Sequence, residues 1–141
     1  MLEGLRLVKE KYNLPIVWPI HPRTAKTIKQ FNLKIPEGIK IIPPMGYLEF
    51  LQLEANSKII LTDSGGVQEE ACILKVPCVT MRDTTERPET LKIGSNVLVS
   101  VDPQKILEGV NQMLSRDTSW KNPFGDGHAG ESIINIITQT K

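Results

Sequence analysis

The 141 residues carry 17 basic and 16 acidic side chains, which leaves a formal net charge of +1 at pH 7. A chain of this size buries about two-thirds of its unfolded surface on folding, so we expect one domain over residues 1–141. The near-neutral balance gives no long-range field of the kind that holds nucleic acid or an anionic membrane, and we expect neither partner.

Cysteine and histidine spacing argues against redox and metal chemistry. Cys72 and Cys78 match neither a CxxC pair nor half of a zinc site, so we expect two reduced, buried thiols, one on a helix and one on the next strand. His21 and His128 lie too far apart for an HxxxH motif; no metal and no cofactor are predicted. The amino terminus lacks the apolar stretch of a signal peptide or membrane span, which indicates a cytoplasmic protein.

Apolar runs and turn signals divide the chain into alternating helices and strands. The predicted helices are the segment before Asn13 and residues 24–31, 47–55, 67–75, 89–93, 103–115 and 131–138. The predicted strands are residues 16–20, 38–42, 58–62, 77–81 and 96–101, and residues 122–127 are predicted as a loop. Strands that are continuous apolar runs separated by helices indicate an α/β fold with a parallel sheet covered on both faces.

The predicted topology places several polar residues along one rim. Right-handed crossovers bring the carboxyl ends of parallel strands to one edge of the sheet, where ligands collect in open sheets of this type. His21, Pro43, Asp63, Ser64 and Arg82 all follow predicted strand ends. We therefore expect them to line this edge.

The segment around Ser64-Gly65-Gly66 is the most informative, because an apolar strand ends there and a helix begins at once. The first amides of that helix have no intrahelical partner and lie at the positive end of its dipole, so they can hold a phosphate. Glu70 lies about one turn further along, where a carboxylate can accept hydrogen bonds from ribose hydroxyls. The same residues also suit a turn in which a hydroxyl caps the helix, so a packing role stays open.

Three further side chains are candidates. Arg87 follows the fourth predicted strand, and its planar guanidinium can meet two diphosphate oxygens, while Pro88 restricts its backbone to extended conformations; a solvated loop would look much the same. Phe50, near a helix start, can pack in the core or stack on a nucleobase. His21 can act at the rim or serve a structural role.

Three long motifs occur in order: residues 61–71 (LTDSGGVQEEA), 81–89 (MRDTTERPE) and 122–127 (NPFGDG). Together they closely resemble the non-hydrolysing UDP-N-acetylglucosamine 2-epimerases. The resemblance covers essentially the whole chain but only the carboxy-terminal half of that family, whose members have two Rossmann-like domains of the glycosyltransferase-B type with the active site between them. It implies that residues 1–141 form a single UDP-binding, Rossmann-like domain.

The resemblance also implies a role for each candidate. The residues that would contact UDP are Ser64, Gly65 and Gly66 at the diphosphate, Glu70 at the ribose hydroxyls, Phe50 and the backbone around Met45 at the uracil, and Arg87, which would help to hold the nucleotide. Met45 departs from the polar residue often found at its position, so only a main-chain contact carries over. His21 occupies the place where bacterial members contact a second, regulatory UDP-N-acetylglucosamine (UDP-GlcNAc).

The reaction implied by the resemblance inverts C2 of the sugar in a precursor of polysaccharides. UDP is eliminated to leave 2-acetamidoglucal and is then added back to give UDP-N-acetylmannosamine, so negative charge grows on the diphosphate as its bond to C1 breaks. The family's acid–base carboxylates and its histidine on the first strand of this domain have no counterpart here, because the sequence opens on the helix after that strand. We therefore expect no catalytic residue and no epimerase activity in this chain alone, an amino-terminal catalytic domain as its partner, and a full-length homodimer.

Two other functions stay open from the sequence. A non-catalytic nucleotide-sugar binding module would keep Ser64, Glu70 and Arg87 without a catalytic partner. The donor domain of a glycosyltransferase would share the fold, and fold alone does not decide chemistry. The three motifs favour the epimerase over the transferase.

Overall fold

The computed structural model describes residues 1–139. The helices are α1 (Leu2–Tyr12), α2 (Pro22–Gln30), α3 (Tyr47–Ala55), α4 (Gly65–Ile73), α5 (Pro88–Lys92), α6 (Pro103–Leu114) and α7 (Ala129–Gln139). The strands are β1 (Ile16–Pro19), β2 (Ile39–Ile42), β3 (Ile60–Thr62), β4 (Cys78–Thr80) and β5 (Asn96–Leu98). Each predicted element is present with small boundary shifts. For example, α2 begins at Pro22, because the fixed φ of proline suits the first helical position.

The strands form two parallel sheets, where the sequence predicted one. β1 pairs with β2, and β3, β4 and β5 follow in that order in the second sheet. In register, Ile16 lies opposite Ile39, and Cys78 lies between Ile60 and Asn96. The parallel α/β class is confirmed. Within residues 1–139, β1 pairs only with β2 and β3 only with β4, so each keeps one unpaired edge.

Different helices cover the two faces of the three-stranded sheet. On one face, Val79 and Val99 pack with Ile106 of α6 and Val8 of α1 in a single apolar cluster. Gly109 allows this close approach, because a Cβ there would clash with a methyl group of Val99. The core on this side therefore joins the first and sixth helices to the sheet.

The opposite face packs on α4. Ile60 and Cys78 form a second apolar cluster with Ala71 of that helix. Successive strand residues point to opposite faces, which explains why Cys78 and Val79 belong to different clusters. The prediction of helices on both faces is thus confirmed for this sheet.

The two cysteines behave as expected from the sequence. Cys72 on α4 and Cys78 on β4 are free thiols and fully buried. Burial raises the pKa of the Cys78 thiol to about 12.

Two observations concern the remaining surface. None of the helices in residues 1–139 is long and apolar enough to cross a membrane. The last helix, α7, buries none of its residues, and four of its isoleucines are 56–68% exposed: Ile133, Ile134, Ile136 and Ile137.

Candidate functional site

The carboxyl ends of β3 and β4 carry the two central candidates. Ser64 follows β3 as the N-cap of α4, and Arg87 lies in the loop after β4 as the N-cap of α5. Because parallel strands end at the same edge, both segments lie on one rim of the three-stranded sheet. His21 and Met45 follow β1 and β2, at the carboxyl ends of the two-stranded sheet.

The turn Ser64-Gly65-Gly66, which we call the glycine turn, presents free hydrogen-bond donors. The Ser64 amide donates to Thr62 Oγ1 at 3.0 Å, and the first helical bond runs from the Gln68 amide to the Ser64 carbonyl at 3.3 Å. The Ser64 hydroxyl does not cap α4, so the capping role that the sequence left open is not found. Within residues 1–139, three helix amides before Gln68 have no hydrogen-bond partner: those of Gly65, Gly66 and Val67.

A carboxylate lies over the glycine turn. A Cβ on Gly65 would meet Glu86 Oε1, so any larger residue at this position would push the Glu86 side chain aside. Glu86 Oε2 accepts a hydrogen bond from Arg82 Nη1 at 2.9 Å. A hydrogen bond from its own amide and the Arg82 charge hold the pKa of Glu86 below its usual value. An anion bound at these amides would meet Glu86, an exposed side chain that can rotate away.

Arg87 lies against α4 and does not point into bulk water. Its Nε forms an ion pair with Glu69 Oε1 of that helix, and its Nη1 donates to the Glu86 carbonyl at 3.2 Å. The side chain is 32% exposed. The guanidinium is therefore close to the first turns of α4 and still open on one side.

The nucleoside candidates are on helices that pack against each other, because α3 contacts α4. Phe50, in the first turn of α3, is half-buried, and its amide donates to the Gly46 carbonyl at 2.9 Å. The Met45 backbone N–H and C=O have no hydrogen-bond partner within residues 1–139, which leaves both free for a main-chain contact. Glu70 is half-buried on α4.

His21 has a structural role at the start of α2. Its exposed ring caps this helix, where Nδ1 accepts a hydrogen bond from the Arg23 amide at 3.2 Å. A neutral imidazole that accepts at Nδ1 carries its proton on Nε2, so this second nitrogen can donate to a ligand.

Glu54 was not singled out in the sequence. This carboxylate on α3 is 3% exposed, and neither oxygen has a hydrogen-bond partner within residues 1–139. Burial, with a smaller effect from the Glu70 carboxylate, raises the pKa of Glu54 to about 7. The helical period gives a signal for it, because position 54 shares a face with Phe50 and Leu51, four and three residues earlier.

Within the described residues, 1–139, no group of three or more His, Cys, Asp or Glu side chains is placed to hold a metal ion. Free helix amides beside an arginine, at the carboxyl edge of a parallel sheet, are typical of proteins that bind a phosphorylated ligand. The sequence profile of the family described as UDP-N-acetylglucosamine 2-epimerase matches residues 1–138. The chain belongs to this family, which confirms the resemblance found in its motifs.

The relatives agree with this assignment. The UDP-GlcNAc 2-epimerase of Methanocaldococcus jannaschii is 54% identical over 145 residues, which cover 100% of this chain and 40% of that protein. The enzyme of the same name from Methanococcus maripaludis is 52% identical over 141 residues, 97% of this chain and 38% of that protein. The crystal structure of the M. jannaschii enzyme in complex with UDP-GlcNAc and UDP superposes with a TM-score of 0.89 at 55% identity, covering 97% of this chain and 39% of that chain. The chain thus spans about two fifths of the length of these relatives.

Proposed function

We propose that this chain is the UDP-binding part of a UDP-GlcNAc 2-epimerase, an isomerase that interconverts UDP-GlcNAc and UDP-N-acetylmannosamine. The observation that carries the proposal is the glycine turn, where the amides of Gly65, Gly66 and Val67 lack partners within residues 1–139 and the Arg87 guanidinium pairs with Glu69 of the same helix. Donors of this kind, fixed before the ligand arrives, hold a diphosphate most tightly when its charge increases. The similar M. jannaschii enzyme was crystallised with UDP-GlcNAc and UDP, which supports the choice of ligand.

In this proposal, different residues contact different parts of the nucleotide. Ser64 and the glycine turn take the diphosphate together with Arg87. Glu70, one turn along α4, accepts hydrogen bonds from the ribose hydroxyls, while the Phe50 ring and the free Met45 backbone meet the uracil. His21 is the proposed contact for a second, regulatory nucleotide sugar, through its Nε2–H.

In the proposed reaction these residues act on the leaving group, which is UDP. In the forward elimination a base removes the proton at C2 and the bond from C1 to the UDP oxygen breaks, which leaves 2-acetamidoglucal and UDP. The reverse step returns UDP to C1 and a proton to the other face of C2. The amides and the guanidinium stabilise the charge on the departing diphosphate. We propose that the acid–base groups belong to an amino-terminal catalytic domain and that this chain has none.

The unpaired edges of β1 and β3 leave room for one more strand between the two sheets. In doubly wound sheets with strand order 3-2-1-4-5-6, the first strand lies between the second and the fourth. The orders β2-β1 and β3-β4-β5 reproduce this pattern with the central place open. Met1 N, at the start of α1, lies 3.2 Å from the Val101 carbonyl, beyond the end of β5. A strand that precedes α1 in the full-length protein would end at that edge and join the two sheets.

We propose that the full-length protein is a cytoplasmic homodimer. The two buried, free thiols support a reducing compartment.

Calorimetric titration with UDP tests the site. We expect Arg87→Ala to weaken binding by about tenfold or more and Ser64→Ala by about two- to tenfold, because charge-assisted hydrogen bonds are the stronger ones. Arg6→Ala on α1 and Ser132→Ala on α7 are matched controls on other surfaces, and both should bind UDP like the wild type. Unchanged affinity in both site variants would remove the assignment.

Activity measurements separate the candidate functions. With UDP-GlcNAc we expect this chain alone to release no 2-acetamidoglucal and to produce no C2 epimer, as followed by proton NMR. Detection of either product would contradict the proposal that the acid–base groups lie elsewhere. Transfer of the sugar to an acceptor by the full-length protein would support a glycosyltransferase instead.

A further inference from the structure

A buried polar network joins the glycine turn to the loop that carries Arg87. The polar network consists of Gln68 on α4, Thr80 on β4, Thr85 in the loop before Arg87, Thr90 on α5 and Asn96 on β5. Gln68, Thr80 and Thr90 are fully buried and Asn96 is 4% exposed, while Thr85 is half-buried. These polar side chains lie on the face of the sheet where Ile60 and Cys78 pack against α4.

Gln68 contacts both segments of the proposed diphosphate site. Its Nε2 donates to the Ser64 carbonyl at 3.2 Å, at the N-cap of α4. Its Oε1 accepts a hydrogen bond from Thr85 Oγ1 at 2.6 Å and another from Asn96 Nδ2 at 3.1 Å. A single side chain therefore sets the distance between the glycine turn and the Arg87 loop.

Two hydroxyls hold the backbone of Arg87. The Arg87 amide donates to Thr85 Oγ1 at 3.0 Å, and the Arg87 carbonyl accepts from Thr90 Oγ1 at 2.8 Å. Both hydroxyls are fixed in turn, since Thr85 donates to Gln68 and Thr90 accepts from Asn96 Nδ2 at 3.1 Å. The peptide groups on either side of the arginine thus have their directions set by the network.

The network is closed at its inner end. Asn96 Oδ1 accepts a hydrogen bond from Thr80 Oγ1 at 2.8 Å, so the amide nitrogen and the amide oxygen both have partners. A buried polar group without a partner destabilises the fold, so a satisfied network specifies one arrangement of the segments that it joins. An apolar contact of the same size would hold α4 to the sheet without this directional constraint.

We propose that Gln68 and Thr85 are positioning residues, which keep the Arg87 guanidinium in register with the free amides of α4 so that both reach the same diphosphate. This inference rests on the proposed function. A guanidinium and a helix N-terminus make directional hydrogen bonds, so a displacement of about 1 Å between them costs affinity for a ligand that needs both. The network touches neither the Phe50 helix start nor Met45, so the nucleoside end of the ligand is outside its reach.

The test measures the binding of UDP and of uridine, which lacks the diphosphate, to variants of this chain that each change one threonine. Thr85→Val removes the hydroxyl and keeps the shape, and we expect it to weaken UDP binding about tenfold while uridine binding, measured by ligand-observed NMR, stays within about twofold. Thr85→Ser keeps the hydroxyl and should restore most of the UDP affinity. Thr84→Val, at the exposed neighbouring threonine, is the matched control and should have no effect.

A double-mutant cycle with Arg87→Ala tests whether Thr85 affects UDP binding through Arg87. If Thr85 acts through Arg87, Thr85→Val should change UDP affinity little on the Arg87→Ala background. The same loss for UDP and uridine, or the full tenfold loss on both backgrounds, would show a merely structural role and overturn the inference. Thr85→Ala takes the place of Thr85→Val in every comparison if the valine variant fails to fold.

The two proposals can fail separately. If Arg87→Ala weakens UDP binding and Thr85→Val does not, the positioning role is wrong and the UDP site stands. If Arg87→Ala binds UDP like the wild type, the inference falls, and if Ser64→Ala does so as well, the site itself is wrong.

Discussion

The two sheets of this chain differ in how completely their strands and helices are buried. Every residue of β4 is buried, and helices pack on both faces of the three-stranded sheet. β1 and β2 each have an exposed second position, Val17 and Lys40, and α2 buries none of its residues. Burial on both faces is the usual condition of parallel strands, so the two-stranded half is the less complete.

This difference separates the parts of the proposed site. The free amides and Arg87 belong to the complete half, where the polar network fixes their spacing. Met45 and His21 follow strands of the incomplete half, and α3 leads from that half into β3. We infer that the proposed diphosphate contacts are preorganised in this chain, while the proposed contacts of Met45 and His21 would depend on the strand that we propose between the two sheets.

Matched core truncations give the largest contrast between the halves. Ile106→Ala removes a fully buried side chain of the α6 cluster and should lower the free energy of unfolding by about 2–5 kcal/mol. Ile41→Ala, at a half-buried position of β2, should cost only about 1 kcal/mol or less. Urea denaturation measures both. Equal losses would mean that the two-stranded half shares the main core.

Hydrogen exchange sharpens the comparison at two matched amides. The Ile20 amide donates to the Ile42 carbonyl and the Val99 amide to the Thr80 carbonyl, both at 3.0 Å, and the two residues are 7% and 5% exposed. If the two-stranded half opens by itself, the free energy of opening at the Ile20 amide should be lower than at the Val99 amide by about 2 kcal/mol. The Ile20 amide should then exchange roughly thirtyfold faster. Equal protection would show one cooperative unit. In the full-length protein the difference should narrow.

Glu54, on the helix that leads from one half to the other, should make stability depend on pH. Its pKa is raised to about 7 in the folded chain, so between about pH 4.5 and 7 the unfolded state binds fewer protons and stability falls as pH rises. Glu54→Gln should remove this slope and gain about 2–3 kcal/mol at pH 8, with little change near pH 4.5. Denaturation at both pH values measures it, with exposed Glu108→Gln as the control. Parallel profiles for wild type and Glu54→Gln would contradict the buried, unpaired carboxylate.

Prediction from the sequence succeeded where the signal is local. Apolar periodicity and turn signals predicted the helices and strands, and both cysteines are buried as their spacing predicted. The division into two sheets could not be predicted. The apolar pattern of a strand indicates which of its faces are buried, but it does not indicate which of its edges is hydrogen-bonded to another strand.

The polar network was missed for a related reason. Gln68 and Asn96 are polar residues of a kind that mostly lies on the surface, and their partners are far away in sequence. The bond between Asn96 and Gln68, for example, spans 28 positions. The proposed ligand-facing residues were chosen from motifs, whereas the network that joins their segments is visible only when α4, β5 and the Arg87 loop are brought together.

The smallest predicted effect concerns the competition for Arg87 inside the complete half. Glu69 forms an ion pair with the Arg87 guanidinium, and both side chains are about a third exposed: 35% and 32%. Such a pair is worth about 1 kcal/mol or less, so a diphosphate can displace it. Glu69→Gln should therefore raise UDP affinity about two- to fivefold in calorimetry, and the gain should shrink at high salt.

The control for that variant is Glu89→Gln, an exposed carboxylate on α5 that lies two residues from Arg87 and has no ion pair within residues 1–139. It removes the same charge from the same region. A gain in UDP affinity that both variants share would therefore reflect the lower negative charge near the site and not the loss of the Glu69–Arg87 ion pair. Weaker UDP binding in Glu69→Gln would reverse the assignment. Glu69 would then orient Arg87 toward the diphosphate as the polar network does, and the complete half would hold its arginine by the side chain as well as by the backbone.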